Sequence, residues 1–261
     1  MKNPYDKYLD HLFEVLLDYR HTTNLICRIL TKDAANISNG EIISENHSAL
    51  IISDWTGPTD NGWEINQHSG KYRYTGKENY ASDIQNLIFR ECSLIYAQAF
   101  EVLEKFIKDC LFHRAELNPK FQEEVLKKFR PNDKFTRQNM PGGDTLFKLV
   151  KIATKKNFSK HNNIYNNKNL NFKNFWCVIS KSRHAITHSR GDLKISEIKG
   201  ESKIKIFHTY FKNTQTEPDT LKIQLDYENL SFLIKDLGEF AFQIYKMLSL
   251  EDRCDWEYLE N

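Results

Sequence analysis

Two histidines one helical turn apart, with an arginine and a lysine beside them, give the stretch "KSRHAITHSRG", Lys181 to Gly191, the means to do chemistry. Cleaving RNA without a metal needs a base to take the 2′-hydroxyl proton, an acid to protonate the leaving 5′-oxygen, and positive charge near the phosphorane. Histidine suits the proton transfers because it titrates near neutrality. Arginine suits the phosphate because its planar fork holds two oxygens at once. Arg183, His184 and His188 supply those groups.

Other readings of the same residues stay open. The histidines can be solvated surface side chains with no task. Spaced at i and i+4, they can also share a metal ion. However, Ala185 sits where the HExxH motif puts its catalytic Glu, and no nearby Cys or acidic cluster completes a ligand set. A metal-dependent hydrolase would have to recruit His113, His161 or His208 from afar, so the expectation is no metal and no cofactor.

The helix that carries the stretch is expected to begin around Asn169 to Asn171 and to stop at Gly191. At about 100° per residue, Phe172, Phe175, Trp176, Ile179 and Ile186 fall within roughly 60° of one direction, which makes that face the core side. His184 lies about 140° from it and His188 about 180°, with Lys181 close to them. Both histidines therefore face away from the packing stripe. Arg183 lies only about 40° from the stripe centre. A guanidinium there has to meet a carboxylate, a partner subunit or an anionic ligand, and Glu91 is a candidate internal partner.

Helices dominate the rest of the chain. Apolar residues recur at three- and four-residue intervals from Tyr5 to about Leu30, from Ser82 to about His113, and from about Tyr227 to Leu248. Shorter helices are expected from Pro119 to about Phe129 and from Thr145 to about Lys155, the latter capped by Asp144. Between Ile37 and Tyr80, "ALIISDW", "GWEINQH" and "KYRYTG" are β-prone runs separated by turn residues. Their aromatics, Trp55, Trp63, Tyr72 and Tyr74, can stack on bases or serve local packing. "LKISEI", "SKIKIFHTYF" and "TLKIQLDY" also alternate and predict a β-hairpin at about 193–226. The expected architecture is mainly α, a helical bundle with small β-hairpin insertions. Residues 1–81 supply a helix and a β-prone insertion, and residues 82–261 supply the bundle.

At 261 residues, with 40% apolar and 28% charged side chains, the composition is that of a globular protein with a sizeable core. A formal net charge of +2 excludes a general polycation, so nucleic-acid binding would need local patches. The five cysteines have no CxxC spacing, which predicts reduced thiols without a disulfide framework or a zinc site. No apolar run suits a membrane span and the N-terminus lacks a signal-peptide pattern, so the expected location is cytoplasmic.

Arg183 to His188, "RHAITH", followed by "SRG", resembles the Arg, four to six residues, His motif of the HEPN superfamily, the helical higher eukaryotes and prokaryotes nucleotide-binding domains. The residue after the Arg is commonly Asn in that family and is His184 here. The helices "CSLIYAQAFEVLEKFIKDCL" and "ENLSFLIKDLGEFAFQIYKML" resemble those that flank the motif in bacterial HEPN proteins of the toxin and abortive-infection type. The resemblance covers roughly Ser82 to Leu248.

The resemblance implies a metal-independent endoribonuclease of a toxin–antitoxin or antiviral defence system. It would act as a homodimer whose motif helices meet in one composite active site, with an antitoxin or regulatory partner. On this reading His188 is the general acid or base, Arg183 binds the phosphate and transition state, and His184 is a polar helper. Lys181 and Arg190 would hold backbone phosphates of the RNA substrate. In HEPN toxins silenced by a nucleotidyltransferase a Tyr stands two residues after the His. Arg190 occupies that place, so the resemblance does not extend to that control. The alternative within the family is a non-catalytic dimerisation module that binds RNA, nucleotide or a partner protein.

Overall fold

Apolar residues spaced for one helical face account for most of the architecture. The structure, a computed structural model, describes residues 3–40, 46–53, 66–129, 136–162, 166 and 168–257. Eight α-helices occur among them: α1 (Asp6–Ser38), α2 (Tyr80–Leu117), α3 (Pro119–Phe129), α4 (Gly143–Ala153), α5 (Lys155–His161), α6 (Phe172–His188), α7 (Glu201–Tyr210) and α8 (Tyr227–Glu251). The strands are β1 (Asn46–Ser53), β2 (Asn66–Thr75), β3 (Asp192–Lys194), β4 (Lys212–Glu217) and β5 (Thr220–Gln224). The fold is therefore mainly α with small β insertions, as the sequence pattern predicts. Among the described residues no helix is long and apolar enough to cross a membrane.

The chain forms two compact units, one of Met1–Asn24 with Phe89–Asn261 and one of Leu25–Ile88. The larger unit is centred on aromatic side chains drawn from five helices. Trp176 of α6 stacks on Phe147 of α4 at 5.8 Å between ring centroids, and also meets Phe100 of α2 at 5.3 Å and Phe240 of α8 at 6.2 Å. Phe158 of α5 packs edge-on against Phe147 at 5.7 Å. Each of these rings is buried, so the cluster gains both apolar area and favourable ring geometry.

In the smaller unit β1 and β2 form an antiparallel hairpin whose register runs from Asn46↔Thr75 to Ser53↔Asn66, with an irregularity between Ala49 and Ile51. Thr75 donates to Asp83 at 3.0 Å, and the Tyr80 hydroxyl donates to Asp33. Leu50, Ile51, Ile52, Tyr72 and Tyr74 are exposed. Trp55, Trp63 and the start of "GWEINQH" lie outside the described residues.

Four elements differ from the sequence expectation. The helix α1 continues to Ser38 because Cys27, Ala34 and Ile37 keep helical spacing and are buried, and Gly40, at φ +82°, follows its end. Gly142, not Asp144, is the N-cap of α4; Asp144 stands inside the first turn. A separate short helix, α5, follows Thr154, whose φ of −116° and ψ of 30° break the run. The stretch "SKIKIFHTYF" is the helix α7, not a strand. Ile204 and Ile206 alternate with lysines, but Ile206, Phe207 and Tyr210 are the buried residues, and their spacing is helical. The expected hairpin is thus reduced to β4–β5, which with β3 makes a three-stranded sheet in the order β3-β5-β4.

Candidate functional site

The helix α6 is held by the core on one side and presents the motif on the other. The Asn171 side chain caps it by accepting from the Asn174 N–H at 3.0 Å. Tyr96 of α2 donates its hydroxyl to the Ile179 carbonyl at 2.5 Å, and the Trp176 indole donates to the Gly143 carbonyl at 3.2 Å. At its C-terminus Arg190 and Gly191 both take left-handed backbone, at φ +53° and +87°. The Gly191 N–H returns to the Ala185 carbonyl at 2.9 Å, and its own carbonyl accepts from Ile223 of β5 at 2.9 Å. The last turn of α6 is therefore pinned to the sheet.

The buried face of α6 is wider than the expected stripe. Val178, Ser182 and Ala185 are buried with Phe172, Phe175, Trp176 and Ile179, whereas Ile186 is only partly covered. The centre of the face moves by about 40°, which leaves Arg183 about 75° from it, on the flank of the helix. His184 and His188 still face away and are exposed, with ring centroids 4.7 Å apart.

The side chain of Arg183 is 26% exposed and forms an ion pair with Glu101 of α2. The expected partner, Glu91, pairs instead with Arg90 at 3.0 Å. Arg183 Nε is buried without a hydrogen-bond partner, and so is the hydroxyl of Ser182 next to it. Burial pushes the Tyr96 phenol well above its ordinary pKa, and the Arg183 charge offsets part of that rise. A pocket of about 250 Å³ adjoins Arg183, Lys181 and His184, with Phe100, Glu104 and Gly143 on its other walls. Glu104 is buried and accepts from the Gly143 N–H at 2.7 Å.

Lys181 reaches Glu197 at 3.6 Å, in the 3-10 turn after β3. Arg190 is exposed, and its carbonyl accepts from Lys222. Arg183, His184 and Lys181 thus share one pocket wall, while His188 lies a turn further along and Arg190 beyond the helix end. Within a single chain Arg183 and His184 therefore meet at this pocket, and His188 does not line it.

The three histidines that a metal site would have to recruit are engaged elsewhere. His113 packs edge-on against Tyr5 and Tyr8, the ring of His161 bonds the Asn157 carbonyl at 2.8 Å, and His208 packs on Phe207. Among the described residues no three His, Cys, Asp or Glu side chains gather into a group able to hold a metal ion.

Sequence reasoning did not find Glu101, Glu104 or Tyr96. Periodicity placed all three on one long helix, but which acidic residue of α2 meets Arg183 depends on the register between two helices, and a single sequence carries no record of that. Comparison with protein-family models, curated proteins and solved structures finds no match to this chain.

Proposed function

We propose that the protein is a homodimeric, metal-independent endoribonuclease of a bacterial toxin–antitoxin or antiviral defence system, acting on RNA in the cytoplasm. The reading rests on the HEPN-like motif and is supported most by one observation: His184 and His188 stand exposed and side by side, on the same helix as a flank arginine with a buried, unpartnered Nε.

In the reaction a base takes the 2′-hydroxyl proton, the 2′-oxygen attacks phosphorus, and the bond to the 5′-oxygen breaks as an acid protonates it. The products are a 2′,3′-cyclic phosphate and a 5′-hydroxyl. His188 is assigned to proton transfer, Arg183 to the phosphorane charge, His184 to a polar supporting role, and Lys181 and Arg190 to flanking phosphates. On this reading the second copy completes the site, because two motif helices facing each other would bring the His188 side chains of both subunits to one cleft.

The test is incubation of wild type, His188→Ala and Arg183→Ala with total RNA in EDTA, followed by mapping of the RNA ends. Cleavage by wild type alone, leaving cyclic-phosphate ends, is expected; cleavage that survives in both variants sinks the proposal. One observation favours a second reading, a non-catalytic RNA-binding or dimerisation module: Arg183 is already engaged by Glu101. On that reading wild type and His188→Ala are expressed equally well, slow host growth equally little and retain equal RNA affinity.

A further inference from the structure

A groove of about 1130 Å³ runs along α1 and α8 in the larger unit, and none of the motif residues lines it. The two helices lie antiparallel. Tyr245 donates to Asp6 at 2.7 Å near one end, and Arg20 donates to Ser231 at 2.7 Å near the other. Between them Gly238 faces Phe13 and Leu16 of α1, with room for a Cβ at ordinary contact distance, 3.6 Å from the Phe13 ring.

The groove has an apolar floor, to which α1 contributes Phe13, Leu16 and Leu17 and α8 contributes Ile234 and Phe242. Leu17 is 67% exposed, so this is an open trough and not an enclosed tunnel. Its lining along α8 extends from Ile234 to Lys246, about 18 Å of helix at 1.5 Å per residue. The rim is basic. Arg20, Lys160, Lys168, Lys235 and Lys246 line the groove against two carboxylates, Asp236 and Glu239. Two of the five cations engage those carboxylates, Lys168 pairing with both and Lys235 with Glu239 at 3.6 Å, and the Tyr210 hydroxyl donates to Asp236 at 2.6 Å, so the net positive charge of the rim comes from Arg20, Lys160 and Lys246.

We propose that this groove binds an acidic amphipathic helix of a partner protein, independently of the ribonuclease reading. Leu- or Phe-type side chains at i, i+3, i+4 and i+7 lie on the apolar floor, and Asp or Glu flanks meet the basic rim. The length fits about three helical turns, and a helix some 10–12 Å across needs a trough open on one side. A single acyl chain calls for a site that encloses most of its surface, which a wall as exposed as Leu17 does not provide.

The test uses the full-length protein and a fluorescent stapled helix about twelve residues long, with Leu at the four anchor positions and Glu on both flanks. Its anisotropy titration is compared with a Lys-flanked version and with dodecanoate as competitor. The Glu-flanked helix is expected to bind at least about tenfold more tightly than the Lys-flanked one. Leu17→Glu is expected to lower that affinity at least about tenfold at an unchanged melting temperature. Lys160→Glu, at an exposed cation of the rim, repeats the test should Leu17→Glu fold poorly. Equal binding of the two helices, indifference to both substitutions, or dodecanoate binding more tightly than the helix and displacing it would each overturn the proposal, the last by making the groove a lipid site.

Discussion

Arg183 and Glu101 form an ion pair that ties the motif helix α6 to α2 at the edge of a small pocket. Half of the Glu101 side chain is solvated, so the pair contributes about 0–1 kcal/mol to stability. Arg183→Ala should therefore shift a urea unfolding midpoint only slightly while abolishing RNA cleavage. A large loss of stability would make Arg183 a structural residue and remove the main reason to place it in a site.

On the proposed function, Glu101 would compete with phosphate for the same guanidinium. Glu101→Gln removes the competing charge and should tighten RNA binding by roughly three- to tenfold at low salt, with a steeper dependence on salt because one more cation is available to the backbone. Filter binding of a labelled RNA across a salt series measures this. Weaker binding by the variant would mean that Glu101 aims Arg183 and does not restrain it.

How far these residues could be read from sequence follows from the range of the interactions involved. The exposure of His184 and His188 is legible, because it depends only on helical phase within one segment. The partner of Arg183 is not, because it depends on how α6 slides against α2. The true width of the α6 core face is hidden for a related reason: Ser182 and Ala185 do not look like core residues, and only close packing makes them so. The helix α7 was masked by two isoleucines alternating with lysines, a local period of two that Phe207 and Tyr210 override once they are buried.

Asp236 is buried on α8 and accepts from the Tyr210 hydroxyl and from Lys168. Asp236→Ala leaves the buried Tyr210 phenol without its acceptor, whereas Lys168 is 42% exposed and keeps Glu239, so the substitution should cost about 1–3 kcal/mol in urea denaturation. Asp236→Asn keeps an acceptor for Tyr210 and should cost less. Equal losses would show that the charge, not the hydrogen bond, matters to α8.

Tyr210 should make the fold sensitive to alkali. Burial raises its pKa well above the ordinary value of 10.0, and the hydrogen bond to Asp236 adds to the rise. The folded state thus keeps a proton that the unfolded chain loses above about pH 10. The stabilising contribution is full below that pH and declines as pH increases toward the folded-state pKa. Tyr5 is raised in the same direction, first by burial and then by its bond to Asp252. Unfolding midpoints measured from pH 8 to 11 should fall at the alkaline end, and less steeply in Tyr210→Phe. Full phenolate absorbance at pH 11 with no loss of stability would contradict this.

Two adjacent glycines beside the Arg183 pocket are required for different reasons, and substitution separates them. Gly142 has ordinary extended backbone at φ −103°, but a Cβ there would stand 3.1 Å from the Glu104 carboxylate. Gly143 has open space around it and a left-handed φ of +55°. Its N–H donates to Glu104 and its carbonyl accepts from Trp176, so this peptide links the pocket wall to the core. Gly143→Ala should cost about 1 kcal/mol through backbone strain alone, and Gly143→Asn less, because Asn tolerates that region better. Gly142→Ala should instead displace Glu104, changing RNA affinity more than stability. Thermal melts and RNA titrations of the three variants distinguish these effects. A Gly143→Ala protein as stable as wild type would mean that the loop can rearrange without its left-handed residue, and that the pocket wall is not fixed by this turn.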